Sequence, residues 1–344
     1  MADNKENKVL NVPALRFPEF TEEWNYESLD TIAPNITSGR SKPSLGEYNL
    51  YGSTGIIGKT ATADYSGDML LVARVGANAG SLQLVNDSCG ITDNTLIIKP
   101  CKLSSHYLYF YLQHYNLNRL VFGSGQPLIT AGMLKKVRIP FGNQLEQKKI
   151  ENFLCCIDER ITTQNKIIEK YESLIKGIIE KTFVSTQYVP LQHYSPIITS
   201  GKDKDERGNY PLYGSTGVIG SVSKPSYNKS IVLIARVGSI GNVQYVTTPC
   251  GISDNTLIID AGEENRFIYY YLNGYNFSHI ISGTTQPLIT ASSVKKIKIP
   301  VIEKHRRKKI VSTLCAIERK LYNERQITYL LSRQKDFLLS QMFI

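Results

Sequence analysis

From residue 144 to 183 the chain reads QLEQKKIENFLCCIDERITTQNKIIEKYESLIKGIIEKTF, with apolar positions spaced alternately three and four residues apart. Ile150, Leu154, Ile157, Ile161, Ile168, Tyr171, Ile175 and Ile178 make one narrow stripe, interrupted by the polar Gln164. That spacing is the a/d seam of a long helix that buries one stripe against another helix. A single polar seam residue sets register at some cost in stability. No proline falls in the stretch, and at 1.5 Å per residue it predicts a rod of roughly 55–60 Å. Residues 303–343 repeat the pattern: Ile310, Leu314, Ile317 and Leu321 hold the seam, and Glu324 stands 160 residues after Gln164. Beyond Glu324 the apolar residues Ile327, Leu330, Leu331, Leu338 and Met342 lose strict spacing, which predicts a local slip of register. Two such rods in one chain are expected to pair antiparallel; two unrelated surface helices are the competing reading.

The globular stretches are also written twice. YGSTGIIG (51–58) returns as YGSTGVIG (213–220), and LLVARVG (70–76) as VLIARVG (232–238), both 162 residues later. CGITDNTLII (89–98) returns as CGISDNTLII (250–259) at a spacing of 161. QPLITA (126–131) and KKVRIP (135–140) return as QPLITA (286–291) and KKIKIP (295–300) at 160. So small a drift means duplication of a whole domain with minor loop changes. The expected order is a first domain (1–142), a central long helix (143–185), a second domain (186–300) and a C-terminal long helix (301–344).

Within each domain the reading is mixed α/β, more strictly α+β. Strands are expected at 28–33, 48–51, 68–73, 81–85 and 94–98, with glycine-rich turns at 52–58. Residues 104–118 (SSHYLYFYLQHYNLN) predict a helix capped by a serine. Its aromatics, which return as FIYYYLNGYNF (267–277), are read as core; stacking on single-stranded bases is the alternative. A last strand at 137–139 ends at Pro140 and leads into the rod.

Composition narrows the class. The chain has 344 residues, 42% apolar and 20% charged, enough for two or three domains with sizeable cores. No apolar run is long enough to cross a bilayer, and MADNKENK is no signal peptide. The six cysteines show no CxxC and no Cys/His ligand spacing, which predicts reduced thiols, a cytoplasmic protein and no metal site. The net charge is +10, which permits nucleic-acid binding without proving it. The run KHRRKK (304–309) opens the C-terminal helix, where cations oppose the helix dipole; a phosphate outside the helix or a solvated face would answer it.

Catalytic signatures are missing. A phosphate loop needs four residues between its glycines, and Gly52 to Gly58 encloses five. The second copy places Ser221 where Lys59 stands, so no lysine there serves both copies. HExxH, G-x-S-x-G and the Asn-Pro-Pro-Tyr type of methylating motif are absent, and the histidines do not recur in step. No catalytic residue and no bound cofactor are expected; the repeated loops read as binding surfaces.

Those loops hold what duplex reading uses. Small residues let the backbone approach, Ser and Thr hydroxyls reach phosphates, and Arg, Asn and Gln make paired contacts to base edges. The candidates are Arg40, Lys42, Ser53, Thr54, Arg74, Asn78, Gln126 and Thr130 in the first copy. In the second they are Lys202, Lys204, Arg207, Ser215, Thr216, Arg236, Asn242, Gln286 and Thr290. For Arg74 and Arg236 an ion pair to Asp93 or Asp254 competes with a DNA contact. The DNT stretches at 93–95 and 254–256 read as turn chemistry. The loops that differ between copies are 41–48 against 203–210, 77–80 against 239–242, and 124–125 against 284–285.

With PALRFPEFTEEWNYESL (13–29), GSGQPLIT…LKKVRIP (123–140) and EQKKI leading into the first rod, the chain resembles the DNA-specificity subunit of type I restriction–modification systems. The likeness covers essentially the whole chain; the second copy departs only in HRRKKI for LEQKKI and SGTTQPLIT for FGSGQPLIT. The resemblance implies two similar target-recognition domains related by a pseudo-twofold internal repeat and joined by two long antiparallel coiled-coil helices. Each domain would read one half of an interrupted double-stranded DNA site, and the helices would set the gap. It also implies a non-catalytic subunit that recruits two methyltransferase subunits, on which S-adenosylmethionine binds, and two restriction subunits. A rod of roughly 55 Å spans about one and a half turns of B-DNA. Because the two sets of loops are so alike, the half-sites are expected to be related, giving a nearly palindromic site. A specificity subunit serving a fused nuclease–methyltransferase, and a coiled-coil adaptor that never touches DNA, are the alternatives.

Overall fold

The computed structural model describes residues 11–123, 125–283 and 286–344. Two compact units emerge: Met1–Asn165 with Gln326–Ile344, and Lys166–Arg325.

In the first unit a four-stranded antiparallel sheet runs in the order Thr37–Ser38, Thr95–Ile98, Asp68–Ala73, Leu82–Asn86. A three-stranded sheet pairs Gly55–Thr60 with Tyr48–Gly52, and the latter runs parallel to Cys89–Ile91. Strand Asp68–Ala73 is buried on both faces, which is why DMLLVA is a continuous apolar run. Leu70 and Val72 face the helical core, while Met69 and Leu71 pack with Val85, Cys89, Ile91 and Ile97. Helix Ser105–Tyr115 is capped by Ser104, whose side chain accepts from the Tyr107 N–H. Its aromatics are core, as expected: Tyr107 and Phe110 are buried, and the Tyr107 hydroxyl donates to Pro140 O at 3.0 Å.

The second unit repeats this plan. Ile198–Ser200, Thr256–Ile259, Ile231–Ala235 and Val243–Val246 form its larger sheet, and Gly217–Val222, Tyr210–Gly214 and Gly251–Ile252 the smaller. The two single-residue losses behind the drifting repeat have addresses. One lies between Gly238 and Gln244, where five residues replace the six between Gly76 and Gln83. The other removes the serine cap: helix Asn265–Asn273 is led in by the 3-10 turn Gly262–Glu264 and has no side-chain cap bond.

Four local expectations need correction. Residues 28–33 do not form a strand: Asn25–Ser28 does, and Ser28 then caps the short helix Leu29–Ile32 by accepting from the Thr31 N–H. The region 52–58 is mostly strand, since Gly52 pairs with Gly55 and only Ser53 and Thr54 turn. The strand expected at 137–139 is Arg138–Phe141 and runs through Pro140, which is tolerated because the ladder with Asn25–Ser28 has only two strands. Cys89–Ile91 is a strand that Gly90 concealed.

The rods are helices Gln144–Thr182 and Lys304–Met342, each 39 residues long. The predicted slip after Glu324 does not occur. Thr328, Leu331, Lys335, Leu338 and Met342 keep the alternation of three and four and are shielded from solvent, whereas Ile327 and Leu330 are exposed. Polar residues occupy two seam positions, and the exposed apolar residues Ile327 and Leu330 made an intact spacing look broken. Lys335 sits there because Asp158 takes its ammonium at 2.6 Å and the Phe110 ring lies 5.4 Å beneath it. Within each unit the rods run antiparallel, Asp158 meeting Lys335 in the first and Glu172 meeting Arg325 in the second. Removing one partner of a shielded pair costs more than replacing the buried charge with a shape-matched apolar group. Asp158→Ala is therefore expected to destabilise the first unit by about 3 kcal/mol. Lys335→Met should change stability by less than about 1 kcal/mol; urea unfolding of both variants is the check.

Candidate nucleic-acid interface

The repeated loops gather at one end of each unit because three strand ends meet there. In the first unit strand Thr95–Ile98 begins between the outgoing ends of Thr37–Ser38 and Asp68–Ala73. The Gly39 N–H donates to Thr95 O at 3.0 Å on one side, and the Arg74 N–H donates to Asn94 O at 2.8 Å on the other. Arg40 and Arg74 thus leave the sheet on opposite sides of one turn. A Cβ on Gly39 would stand 2.2 Å from Ile91 O, so only glycine allows the chain this close. The hairpin tip at Ser53 and Thr54 reaches the same end, since its first strand runs parallel to Cys89–Ile91 and the Thr92 N–H donates to Tyr51 O. Gln126 is brought in by the Gly76 N–H donating to Pro127 O and the Ile129 N–H donating to Arg74 O, both at 2.9 Å.

Arg40, Ser53, Thr54, Arg74, Asn78, Gln126 and Thr130 therefore share one rim. The second unit builds the same rim from Lys202, Ser215, Thr216, Arg236, Asn242, Gln286 and Thr290. There the Gly201 N–H donates to Thr256 O, the Arg236 N–H to Asn255 O and the Ile289 N–H to Arg236 O. Lys42, Lys204 and Arg207 are not brought to the rim. Their loops run back along the hairpin to its far end, tied by the Ser44 N–H to Lys59 O and the Glu206 N–H to Ser221 O. The two loops share these backbone anchors despite different sequences, but only the second turns left-handed, at Arg207 (φ +54°). Ser41 donates to Asp64 in the first, and in the second the roles are exchanged, Ser226 donating to Asp203 at 2.7 Å.

Some rim residues have local duties. Thr130 and Thr290 cap the five-residue helices Ala131–Lys135 and Ala291–Lys295, accepting from the Met133 and Ser293 N–H groups. Asn242 donates its amide to Ser215 O at 2.7 Å and braces the hairpin tip. Its structural counterpart is Ser81, not a residue of 77–80, because the Ala73 N–H donates to Ser81 O as the Ala235 N–H does to Asn242 O. By the same backbone bonds Asn78 corresponds to Ser239. Gln83 and Gln244, which sequence reading passed over, pin the two tips by donating to Gly52 O and Gly214 O at 2.9 and 2.8 Å. Their repetition within LQLV and VQYV was the available signal. Ser124, Thr284 and Thr285, expected to differ functionally, lie outside the described residues.

The arginines decide what the rim offers. Among the described residues no ion pair joins Arg74 to Asp93 or Arg236 to Asp254, and neither guanidinium has a side-chain partner. The Arg236 Nε is sealed from solvent and hydrogen-bonds nothing. A buried donor left unpaired costs stability, so any outward contact from Arg236 falls to the other nitrogens of its guanidinium. The repeated cysteines offer no such chemistry, because burial pushes the Cys89 and Cys250 thiols up to about 11. The basic run at 304–309 is answered in part from within. Arg307 forks onto Glu264 at 2.7 and 2.9 Å, and Lys304 and His305 face Glu263 and Glu303. Arg306, Lys308 and Lys309 stay exposed. Among the described residues no group of three or more His, Cys, Asp or Glu is placed to hold a metal ion, and no helix is long and apolar enough to cross a membrane.

Comparison with known proteins bears on this arrangement. Residues 9–173 and 194–331 match the family described as type I restriction modification DNA specificity domain. The chain is 25% identical over 273 residues to the MjaX type I restriction enzyme specificity subunit of Methanocaldococcus jannaschii, the match taking in 65% of this chain and 64% of that one. It is 27% identical over 100 residues, 27% of this chain, to the Haemophilus influenzae specificity subunit S.HindORF215P, of which it covers 26%. The chain thus spans less than two thirds of the length of these curated relatives. In fold it is similar to the S subunit of a type I restriction–modification system from M. genitalium, with TM-score 0.71, 20% identity and coverage of 97% of this chain and 99% of that one. A chain solved in work on assembly and conformational transition of the type I R-M system aligns with TM-score 0.55 and 16% identity over 93% of this chain and 97% of its own length.

Proposed function

This chain belongs to the family of type I restriction modification DNA specificity domains, and we propose from that premise that each of its two rims reads one half of an interrupted site in duplex DNA. The observation that carries this reading is the repetition of one rim on both units, with an arginine whose side chain has no partner among the described residues. The protein acts in the cytoplasm as a non-catalytic subunit. It delivers two methyltransferase subunits, which hold S-adenosylmethionine, to an adenine in each half-site, and two restriction subunits join for cleavage. The two rods, about 58 Å long at 1.5 Å per residue, serve as the ruler between half-sites. Lys42, Lys204 and Arg207 contact the phosphates that flank each half-site rather than its bases.

The test is methylation mapping in cells that co-express the chain with its methyltransferase. Two short related motifs on opposite strands, separated by unread bases, are expected; a single uninterrupted motif would refute the reading. Binding of the assembled complex to duplex DNA should also weaken steeply as salt rises, log K falling by about 0.9 per phosphate contact for each unit of log salt. A coiled-coil adaptor that does not touch DNA would show no such binding.

A further inference from the structure

The two rims present the same groups at most places: Ser-Thr at the hairpin tip, Arg74 and Arg236, the Asp-Asn turn, Gln126 and Gln286. Groups that are identical and identically placed cannot make the two rims prefer different bases. Position 40/202 is where the rims differ in the shape of a cation, Arg40 in one and Lys202 in the other. The backbone on either side is fixed alike. Gly39 and Gly201 donate to Thr95 O and Thr256 O at 3.0 and 3.1 Å, and Ser41 and Asp203 donate through their N–H groups to Ile91 O and Ile252 O, both at 2.9 Å. A Cβ at either glycine would meet a carbonyl oxygen at 2.2 or 2.1 Å, so both chains pass equally close to the neighbouring strand and set out residue 40 or 202 from the same place. Both side chains are exposed, and among the described residues neither has a partner.

We infer that residue 40/202 is a specificity-determining position, at which the first rim demands guanine and the second tolerates other bases. This rests on the reading of the rims as DNA-contacting surfaces. A guanidinium offers two parallel N–H donors that match the O6 and N7 acceptors of guanine. An ammonium is a compact charge that satisfies one acceptor or a phosphate with less discrimination. The Asp-Asn turn lies between this residue and the repeated arginine, so both cations approach the same groove from two sides.

The exchange Arg40→Lys with Lys202→Arg keeps the charge and touches no packed residue, so melting temperature should not move. In complexes with the methyltransferase, Arg40→Lys alone should relax one base position in one half-site by roughly ten- to a hundredfold in preference. Lys202→Arg should sharpen the matching position of the other half-site by a similar factor. Methylation mapping of the single and double variants reads both. Motifs that stay unchanged while every site loses affinity equally would overturn the inference and make the residue a phosphate contact. A wild-type map with no interrupted motif would instead sink the DNA reading itself, so the two failures are distinguishable.

Discussion

Arg74→Ala is expected to weaken recognition of one half-site by about 1–3 kcal/mol, a loss of roughly ten- to a hundredfold, and to leave the other half-site as it was. Arg236→Ala should do the reverse. The reason is the missing partner: each guanidinium is held at the rim by its own backbone, the Arg74 N–H to Asn94 O and the Arg236 N–H to Asn255 O, yet has no acceptor for its side chain among the described residues. Had either arginine been an internal ion pair, its loss would lower stability. Here the free energy of unfolding should change by no more than about 0.5 kcal/mol, the range typical of surface changes. Binding to duplexes altered in one half at a time, with thermal melting alongside, separates the outcomes. A variant that weakens both halves equally would return the arginine to a general role.

The largest loss of stability is expected at the start of the central helix. Glu146 is fully buried, and its carboxylate accepts from Arg16 Nε and from a second Arg16 nitrogen at 2.7 and 2.8 Å and from Trp24 Nε1 at 3.0 Å. Asn143 caps the helix by accepting from the Glu146 N–H at 3.0 Å. This gives physical content to the motif at 13–29: its arginine and tryptophan lock the place where the first domain passes into the rod. Arg16→Ala leaves a buried carboxylate with one neutral donor, and should cost about 3–5 kcal/mol. The double change Arg16→Ala with Glu146→Gln should recover a good part of that, since an amide needs no counter-charge. Equal loss in the single and double variants would mean that Arg16 acts through packing alone.

Much of the architecture could be read from the residues. The seam from Ile150 to Ile178 predicts the central rod to within a residue or two, because a sustained period of three and four fits a helix with one buried stripe and no other element. The doubled motifs predict two like units, because a duplicated core needs duplicated apolar strands. Failures came where a polar residue did an apolar residue's job or a cap did a strand's. Lys335 holds a seam position only because Asp158 and two aromatic rings, which are far away in sequence, accept its charge and stem. Ser28 ends a strand only because its hydroxyl finds the Thr31 N–H.

The candidate site shows the same division. Residue type alone picked Arg40, Arg74 and Gln126 as groups able to read bases, since donors and acceptors are properties of the side chain. Their assembly into one rim depends on a parallel strand pairing and on three strand ends meeting at one turn, which no local pattern encodes. Hence Lys42, Lys204 and Arg207 joined the same list yet run to the far end of the hairpin, and Asn242 on the rim also braces the hairpin tip. Periodicity and repetition alone determined that the chain is two matched lobes and two rods, because both follow from local spacing. Which polar groups are spent on the fold and which remain to meet a partner was decided only in three dimensions, where hydrogen bonds between distant residues use up some donors and leave others unpaired.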